Sequence, residues 1–123
     1  MIIGIGTDLV VIERIAQALL QHGDRFRTRI LVDEERADAR RRDFADPAAE
    51  ARWLAKRYAA KEAVAKAFGT GIGAHLSFQD MMIGREISGR PTLIFCGKGI
   101  ALAEQRGVRC AHLSLSDERD LAL

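Results

Sequence analysis

Aromatic side chains are scarce in this chain: one Trp, one Tyr and five Phe make up 6% of its 123 residues. That scarcity counts against the stacking platforms that hold single-stranded nucleic acid. Two prolines and eleven glycines are too few for a collagen-like or low-complexity chain, and 48% hydrophobic residues with a net charge of +2 exclude a disordered one. No apolar run approaches the roughly 18 residues of a membrane span. Met1 to Ile5 is apolar, but no basic flank precedes it and Asp8 follows at once, unlike a secretory signal. A cytoplasmic protein without a membrane partner is expected. Cysteine is thin as well. Cys96 and Cys110 lie 14 apart with neither a CxxC pair nor a His cluster, which argues for reduced thiols rather than a zinc or redox motif.

Lysine is the rarest charged residue. Lys56, Lys61, Lys66 and Lys98 stand against 15 arginines. The guanidinium fork prefers planar oxyanions, so phosphorylated ligands and acidic proteins are candidate partners; compositional bias would give the same skew. A chain of this length suits one domain, here residues 1–123, and buries roughly two thirds of its unfolded surface. That margin is modest, and an oligomer would widen it.

Met1 to Gly6 reads as a short strand ending at a glycine. Val11, Ile12, Ile15, Ala16, Leu19 and Leu20 then recur at the spacing of one buried helical face, and Gly23 stops that helix. The stretch from Asp24 to Leu31 is a short helical turn or irregular segment, with Phe26, Ile30 and Leu31 inward and Arg25, Arg27 and Arg29 outward. Asp33 to Asp43 places acids first and bases last, as a helix dipole favours, and reads as a solvated helix. Asp46-Pro47 is a cap and first-turn proline for the longest helix, which runs without a breaker to Phe68. Leu76 to Ile83, Thr92 to Cys96 and Ala111 to Ser116 are strand-like, with a turn over Gly84 to Arg90 and a short helix over Gly99 to Arg106. Helices segregated ahead of strands argue for an α+β fold, an antiparallel sheet packed against a long helix.

Three segments could carry chemistry. In Gly4-Ile-Gly-Thr-Asp-Leu-Val a strand presents the carboxylate of Asp8 just before a helix, either as an N-cap or as a metal ligand. In Arg57-Tyr-Ala-Ala-Lys-Glu-Ala-Val-Ala-Lys-Ala-Phe, spacings of four put Tyr58, Glu62 and Lys66 on one helical stripe, with Lys61 one position aside. Such a Glu-Lys pair is either a solvated surface pair or an acid and a base able to hold a metal and the phosphate it bridges. The small neighbours Ala59, Ala60, Ala63, Ala65 and Ala67 permit close approach to this helix. In Phe68-Gly-Thr-Gly-Ile-Gly three glycines close a helix where one would suffice. They imply a contorted loop or close approach of a ligand. The segment is no P-loop, because it follows a helix and lacks the lysine and Ser/Thr after its last glycine.

In this order the three segments resemble the holo-[acyl-carrier-protein] synthases, the small 4′-phosphopantetheinyl transferases. Glu13-Arg14-Ile15, Leu76-Ser-Phe-Gln-Asp, Gly89-Arg-Pro and His112-Leu-Ser-Leu-Ser-Asp extend the resemblance over nearly the whole chain. It implies an α+β, 4′-phosphopantetheinyl transferase-like fold in a homotrimer with the coenzyme pocket between subunits. The implied activity is transfer of the phosphopantetheine arm of coenzyme A to a serine of apo acyl carrier protein, with release of adenosine 3′,5′-bisphosphate. Asp8 and Glu62 match the family's Mg²⁺ ligands and Lys66 its phosphate-contacting lysine, so these three are the catalytic candidates. Arg57 is implied to serve the same ligand peripherally. Gly69, Thr70 and Gly71 would let the backbone approach the coenzyme. Arg90-Pro91 stands where relatives commonly have Lys-Pro, and His112 matches a histidine near the nucleotide end, although a lone strand histidine is more often structural. No His or Cys in the motifs can act as base, which leaves a metal-associated water or a carboxylate, Asp8 or Glu62. Arg14, Arg25 and Arg29 match the basic residues that receive the acidic carrier, against the alternative of a solvated basic face.

Some positions depart from the family pattern. Relatives continue past Ser-x-Ser-Asp through an apolar strand-like segment, whereas this chain reaches Leu121-Ala-Leu123, so a shortened final strand or a truncation is expected, with consequences for trimer packing. Ala74 and His75 replace longer polar side chains. Two other readings compete: an Arg-rich nucleic-acid-binding module, and a homologue that binds a carrier protein without catalysis. Acids interspersed with arginines between Asp33 and Asp43 disfavour the first, so no nucleic-acid partner is expected. Retention of Asp8, Glu62 and Lys66 disfavours the second. Which carrier protein and which pathway, fatty-acid synthesis or another, stay open at this level.

Overall fold

The computed structural model describes residues 1–123. A two-residue strand β1 (Val10–Val11) leads into α1 (Ile12–His22), and Gly23 ends that helix with φ +52°, its amide donating to the Leu19 carbonyl. Glycine is needed there because a side chain resists that left-handed backbone. The same residue begins α2 (Asp24–Ile30), so the short segment after Gly23 is a regular helix with Ile30 and Leu31 fully buried. Helix α3 (Asp33–Arg42) follows. Its expected solvation holds for Arg40, Arg41 and Arg42, the last two of which pair with Asp38 along the helix. It fails for Glu35, which is 3% exposed and turned into the protein.

Helix α4 (Pro47–Phe68) is the spine. The Asp46 side chain accepts from the Ala49 amide at 2.8 Å, Pro47 occupies the first turn, and Gly69 ends the helix at φ +76°, as the sequence predicts. After a 3₁₀ turn over Phe78–Asp80, β2 (Met81–Arg85) and β3 (Pro91–Phe95) form an antiparallel hairpin in which Met81 faces Phe95 and Arg85 faces Pro91. Helix α5 (Lys98–Gln105) then packs on β3, and β4 (Leu121–Ala122) pairs antiparallel with β1. The fold is the expected α+β arrangement, helices with antiparallel strands against one long helix.

Three expected strands change. Met1 to Gly6 carries no strand pairing, because its glycines lie on α4 instead of a sheet edge. Leu76 to Ile83 becomes the 3₁₀ turn followed by β2, with Asp80 bonding back to the Ser77 amide at 2.8 Å and closing the turn. Ala111 to Ser116 forms no strand, and only Ser116 at its end bonds across, to Leu123. β propensity alone does not make a ladder when nothing in the chain lies alongside the rest of the segment.

Helix α4 separates two apolar clusters. Ile12, Ile15, Ile30, Leu31, Trp53, Leu54 and Phe78 form the larger, while Val64, Phe68, Leu76, Met81 and Ala103 form the smaller beneath the hairpin and α5. Which cluster an α4 side chain joins is set by its position along the helix and its angle around it. No helix is long and apolar enough to cross a membrane.

Candidate active site

The N-terminal segment lies directly on the small-residue face of α4. A Cβ at Gly4 would overlap the Ala67 carbonyl oxygen and one at Gly6 the Ala63 carbonyl oxygen. Two glycines facing two alanines one helical turn apart bring the backbones together, and that contact delivers Asp8 to the stripe of Glu62 and Lys66. Lys66 Nζ donates to Asp8 Oδ1 at 2.9 Å and to the Thr7 carbonyl at 3.1 Å. Asp8 is not a helix cap, since the residue before α1 is Val11 and no side chain caps that helix.

Glu62 shares this electrostatic field. Burial pushes its carboxyl above the ordinary range and the nearby Asp8 charge adds to the rise, while Tyr58 and Lys66 pull the other way. Two carboxylates that repel each other, with a lysine ammonium against one of them, form a site that welcomes positive charge. Arg14 and Arg29 are exposed and close enough to act on the same groups: both stabilise the Tyr58 phenolate, and Arg29 the Glu62 carboxylate. Arg25 is exposed on the same short helix as Arg29.

The glycine loop starts one turn after Lys66. Gly69 and Gly71 have φ of +76° and +63°, and a Cβ at either would meet nothing within 4 Å, so glycine is required there for conformation. The amides of Gly69, Thr70 and Gly71 are all spent on the carbonyls of Ala65 and Lys66. The loop therefore offers a ligand its shape and carbonyls, not a nest of free N–H groups. Two cations grip its flanks: Arg106 donates to the Phe68 carbonyl at 3.0 Å and Lys98 to the Ala74 carbonyl at 2.5 Å.

A second group forms at the hairpin. Arg90 Nη2 lies 3.2 Å from His112 Nδ1, beside Pro91 at the start of β3, and Cys110 Sγ is 3.8 Å from the other ring nitrogen. Arg57 joins neither group. It is 2% exposed, with its guanidinium 3.8 Å from the Trp53 ring centroid, and Nε and Nη1 are buried without a hydrogen-bond partner. Burial lowers its pKa to about 10. It lines a cleft of ≈ 260 Å³ of mixed charge, with Arg41, Arg42 and Arg85 set among Glu34, Glu35 and Asp38. Five residues along a helix are about 140° around it, so Arg57 and Glu62 of one chain face different ways.

Residues 4–118 match the model of the 4′-phosphopantetheinyl transferase superfamily. The chain belongs to that superfamily. Within it the transferase is 45% identical over 123 residues to a holo-[acyl-carrier-protein] synthase of Vibrio cholerae, an alignment spanning all of this chain and 94% of the relative. The crystal structure of the holo-[acyl-carrier-protein] synthase from Neisseria meningitidis superposes with a TM-score of 0.89 at 39% identity, covering 99% of this chain and 94% of that one. The Helicobacter pylori enzyme, solved in complex with coenzyme A, superposes with a TM-score of 0.81 at 26% identity, covering 96% and 93%.

Other residues of the transferase act where composition and spacing do not point. Lys61 is fully buried, its ammonium donating to Glu35 Oε1 at 2.6 Å and to the carbonyls of Ile30 and Phe78. The signal for it in the sequence is angle rather than polarity: Lys61 stands one turn before Ala65 and two turns after Leu54, and both of those are buried. Asp117 holds Arg52 at 3.0 Å and Lys56 at 3.2 Å, pinning the C-terminal turn to α4.

Proposed function

We propose that this chain, a single transferase domain spanning residues 1–123, transfers 4′-phosphopantetheine from coenzyme A to a serine hydroxyl of an apo acyl carrier protein. The serine oxygen forms a bond to the coenzyme's β-phosphorus. The bond from that phosphorus to the bridging oxygen breaks, and adenosine 3′,5′-bisphosphate leaves with the oxygen and its electron pair. The observation that carries the reading is the Asp8, Glu62 and Lys66 cluster, assembled by glycine-to-alanine contact in a chain that is 45% identical to a holo-[acyl-carrier-protein] synthase.

The cluster fits a divalent cation. Magnesium takes one or two carboxylates and completes its shell with substrate oxygens and water, and two mutually repelling carboxylates, Asp8 and Glu62, are what the site provides. When bound, Mg²⁺ would neutralise pyrophosphate charge that repels a nucleophile. Lys66 would offset the same charge, since its exposed ammonium, now paired with Asp8, is free to turn to a phosphate oxygen. The serine proton must leave as the new bond forms. No His or Cys joins this cluster, so the Asp8 and Glu62 carboxylates are the protein groups able to receive it.

The remaining assignments follow the ligand outward. Gly69, Thr70 and Gly71 shape the wall beside Lys66, and Arg90, Pro91 and His112 meet the nucleotide end. Arg57 serves a phosphate of the same coenzyme peripherally, through the cleft that it lines. Arg57 faces away from Glu62, and the homotrimer that the resemblance implies, with the coenzyme pocket between subunits, would let it reach that coenzyme from a neighbouring chain. Exposed Ile2, Ile3, Ile5 and Leu9, together with the unpaired segment from Ala111 to Leu115, support such an assembly. Arg14, Arg25 and Arg29 receive the acidic carrier, where charge complementarity speeds encounter. The setting is the cytoplasm, in fatty-acid biosynthesis.

The deciding experiment incubates the protein with apo acyl carrier protein, coenzyme A and Mg²⁺ and weighs the carrier by mass spectrometry. Gain of one phosphopantetheine group is expected. No gain with any acyl or peptidyl carrier would remove the reading.

A further inference from the structure

Two of the three docking arginines stand on α2, a helix of seven residues. A helix that short is marginal alone, and its last carbonyls have no partner within it. Here four consecutive carbonyls at that end are held from outside. Gln79 Nε2 shares its two N–H groups among the carbonyls of Thr28, Arg29 and Leu31, at 2.7, 3.2 and 3.0 Å, and Lys61 Nζ donates to Ile30 at 2.7 Å.

Lys61 connects this end to the reaction centre, because it stands on α4 immediately before Glu62. Its ammonium is 0% exposed and spends its other donors on Glu35 Oε1 at 2.6 Å and the Phe78 carbonyl at 3.0 Å. Glu35 in turn accepts from the Val32 amide at 2.9 Å and, through Oε2, from the Ile83 amide at 3.0 Å. Apolar side chains of similar volume commonly match a buried ion pair in stability. What they lack is direction. Three bonds from one ammonium set the end of α2, the start of α3 and the 3₁₀ turn at fixed offsets from the helix that bears Glu62.

We infer that Lys61 and Gln79 are positioning residues for carrier-protein recognition, clamping the C-terminal end of α2 so that Arg25 and Arg29 meet the acidic carrier in register with Glu62. The inference rests on the docking role proposed above for those arginines. It explains why a lysine occupies a core position of α4, and why Gln79, whose side chain is exposed, turns its amide onto a row of main-chain carbonyls.

The test compares steady-state constants for apo acyl carrier protein and for coenzyme A in Q79M, K61M and the control R25E/R29E, each assayed well below its own melting temperature. Loosening a preorganised docking element should raise the carrier KM about fivefold in Q79M and more in K61M. The kcat and the coenzyme A KM should stay within about twofold, as expected when a distant substrate's groups are untouched. In an R25A/R29A background Q79M should add almost nothing, the coupling expected of a residue that acts through those arginines. An unchanged carrier KM in both variants, a parallel rise for both substrates, or an undiminished Q79M effect in the R25A/R29A background would overturn the inference. If R25E/R29E itself leaves the carrier KM unchanged, the docking role falls and this inference falls with it. Should K61M fail to fold, Q79M carries the test.

Discussion

A methyl group at position 6 would collide with the carbonyl oxygen of Ala63 and with the Ala67 amide behind it. Main chain on both sides leaves no flexible side chain to yield, so the N-terminal segment must lift from α4. Gly6→Ala should therefore cost about 1–3 kcal/mol, the usual range for forcing atoms into a packed contact, readable as a lower urea midpoint. It should also cost activity beyond that, because Asp8 is carried on the displaced segment. Glu62→Gln is the complementary case. It keeps the shape and removes the charge, so the melting temperature should hold while turnover falls below detection; activity near wild type would remove Glu62 from the proposed metal ligands. Lys61 marks where residue-level reading stops short. Polarity places it beside the Glu62 stripe, whereas its angle on α4, one turn before buried Ala65 and between buried Ala60 and Val64, places it in the core. Nothing in the local sequence names Glu35 as its partner 26 residues away.

Elements are legible where the signal is local. Asp46-Pro47 and Gly69 bound α4, Gly23 ends α1, and the turn between β2 and β3 falls where glycine and polar residues cluster. Strand character misleads where it depends on a partner: Met1 to Gly6 leans on a helix, and Ala111 to Leu115 has no strand beside it in the chain. Leu76 to Ile83 misleads for a different reason, since Asp80 organises a turn inside an apolar run. Its carboxylate accepts from the Ser77 amide and hydroxyl and from the Lys98 amide, tying the 3₁₀ turn to the start of α5. Burial alone would raise the Asp80 pKa, but the bonds from Ser77 and Lys98 outweigh it and hold the carboxyl below its ordinary value. A carboxyl depressed on folding contributes stability above its unfolded pKa and loses that contribution as pH falls through the folded value. Asp80→Asn should thus be clearly less stable than wild type at neutral pH. The gap should close under acid, below the ordinary Asp range, when chemical denaturation is followed at stepped pH. A gap that stays constant through that range would mean the carboxylate charge contributes nothing.

At the scale of the molecule, the angle between Arg57 and Glu62 bears on the proposed homotrimer, in which one site is shared between chains. If a single chain held the coenzyme, both residues would have to face it, and about 140° of helix separates them. In a heterologous ring each site takes Arg57 from one subunit and Glu62 from the next. Two damaged proteins can then repair each other. Glu62→Gln should be inactive and Arg57→Ala clearly impaired when each is assayed alone. Mixed in equal amounts and allowed to exchange subunits, they place an intact Arg57 opposite an intact Glu62 at about a quarter of the interfaces, the product of two even chances around the ring. Activity of the mixture should rise toward that fraction of wild type, while sedimentation shows a three-chain mass. Exchange without recovery would return Arg57 to a role inside its own subunit, as a cation stacked on Trp53, and the cleft it lines would no longer belong to the proposed coenzyme site.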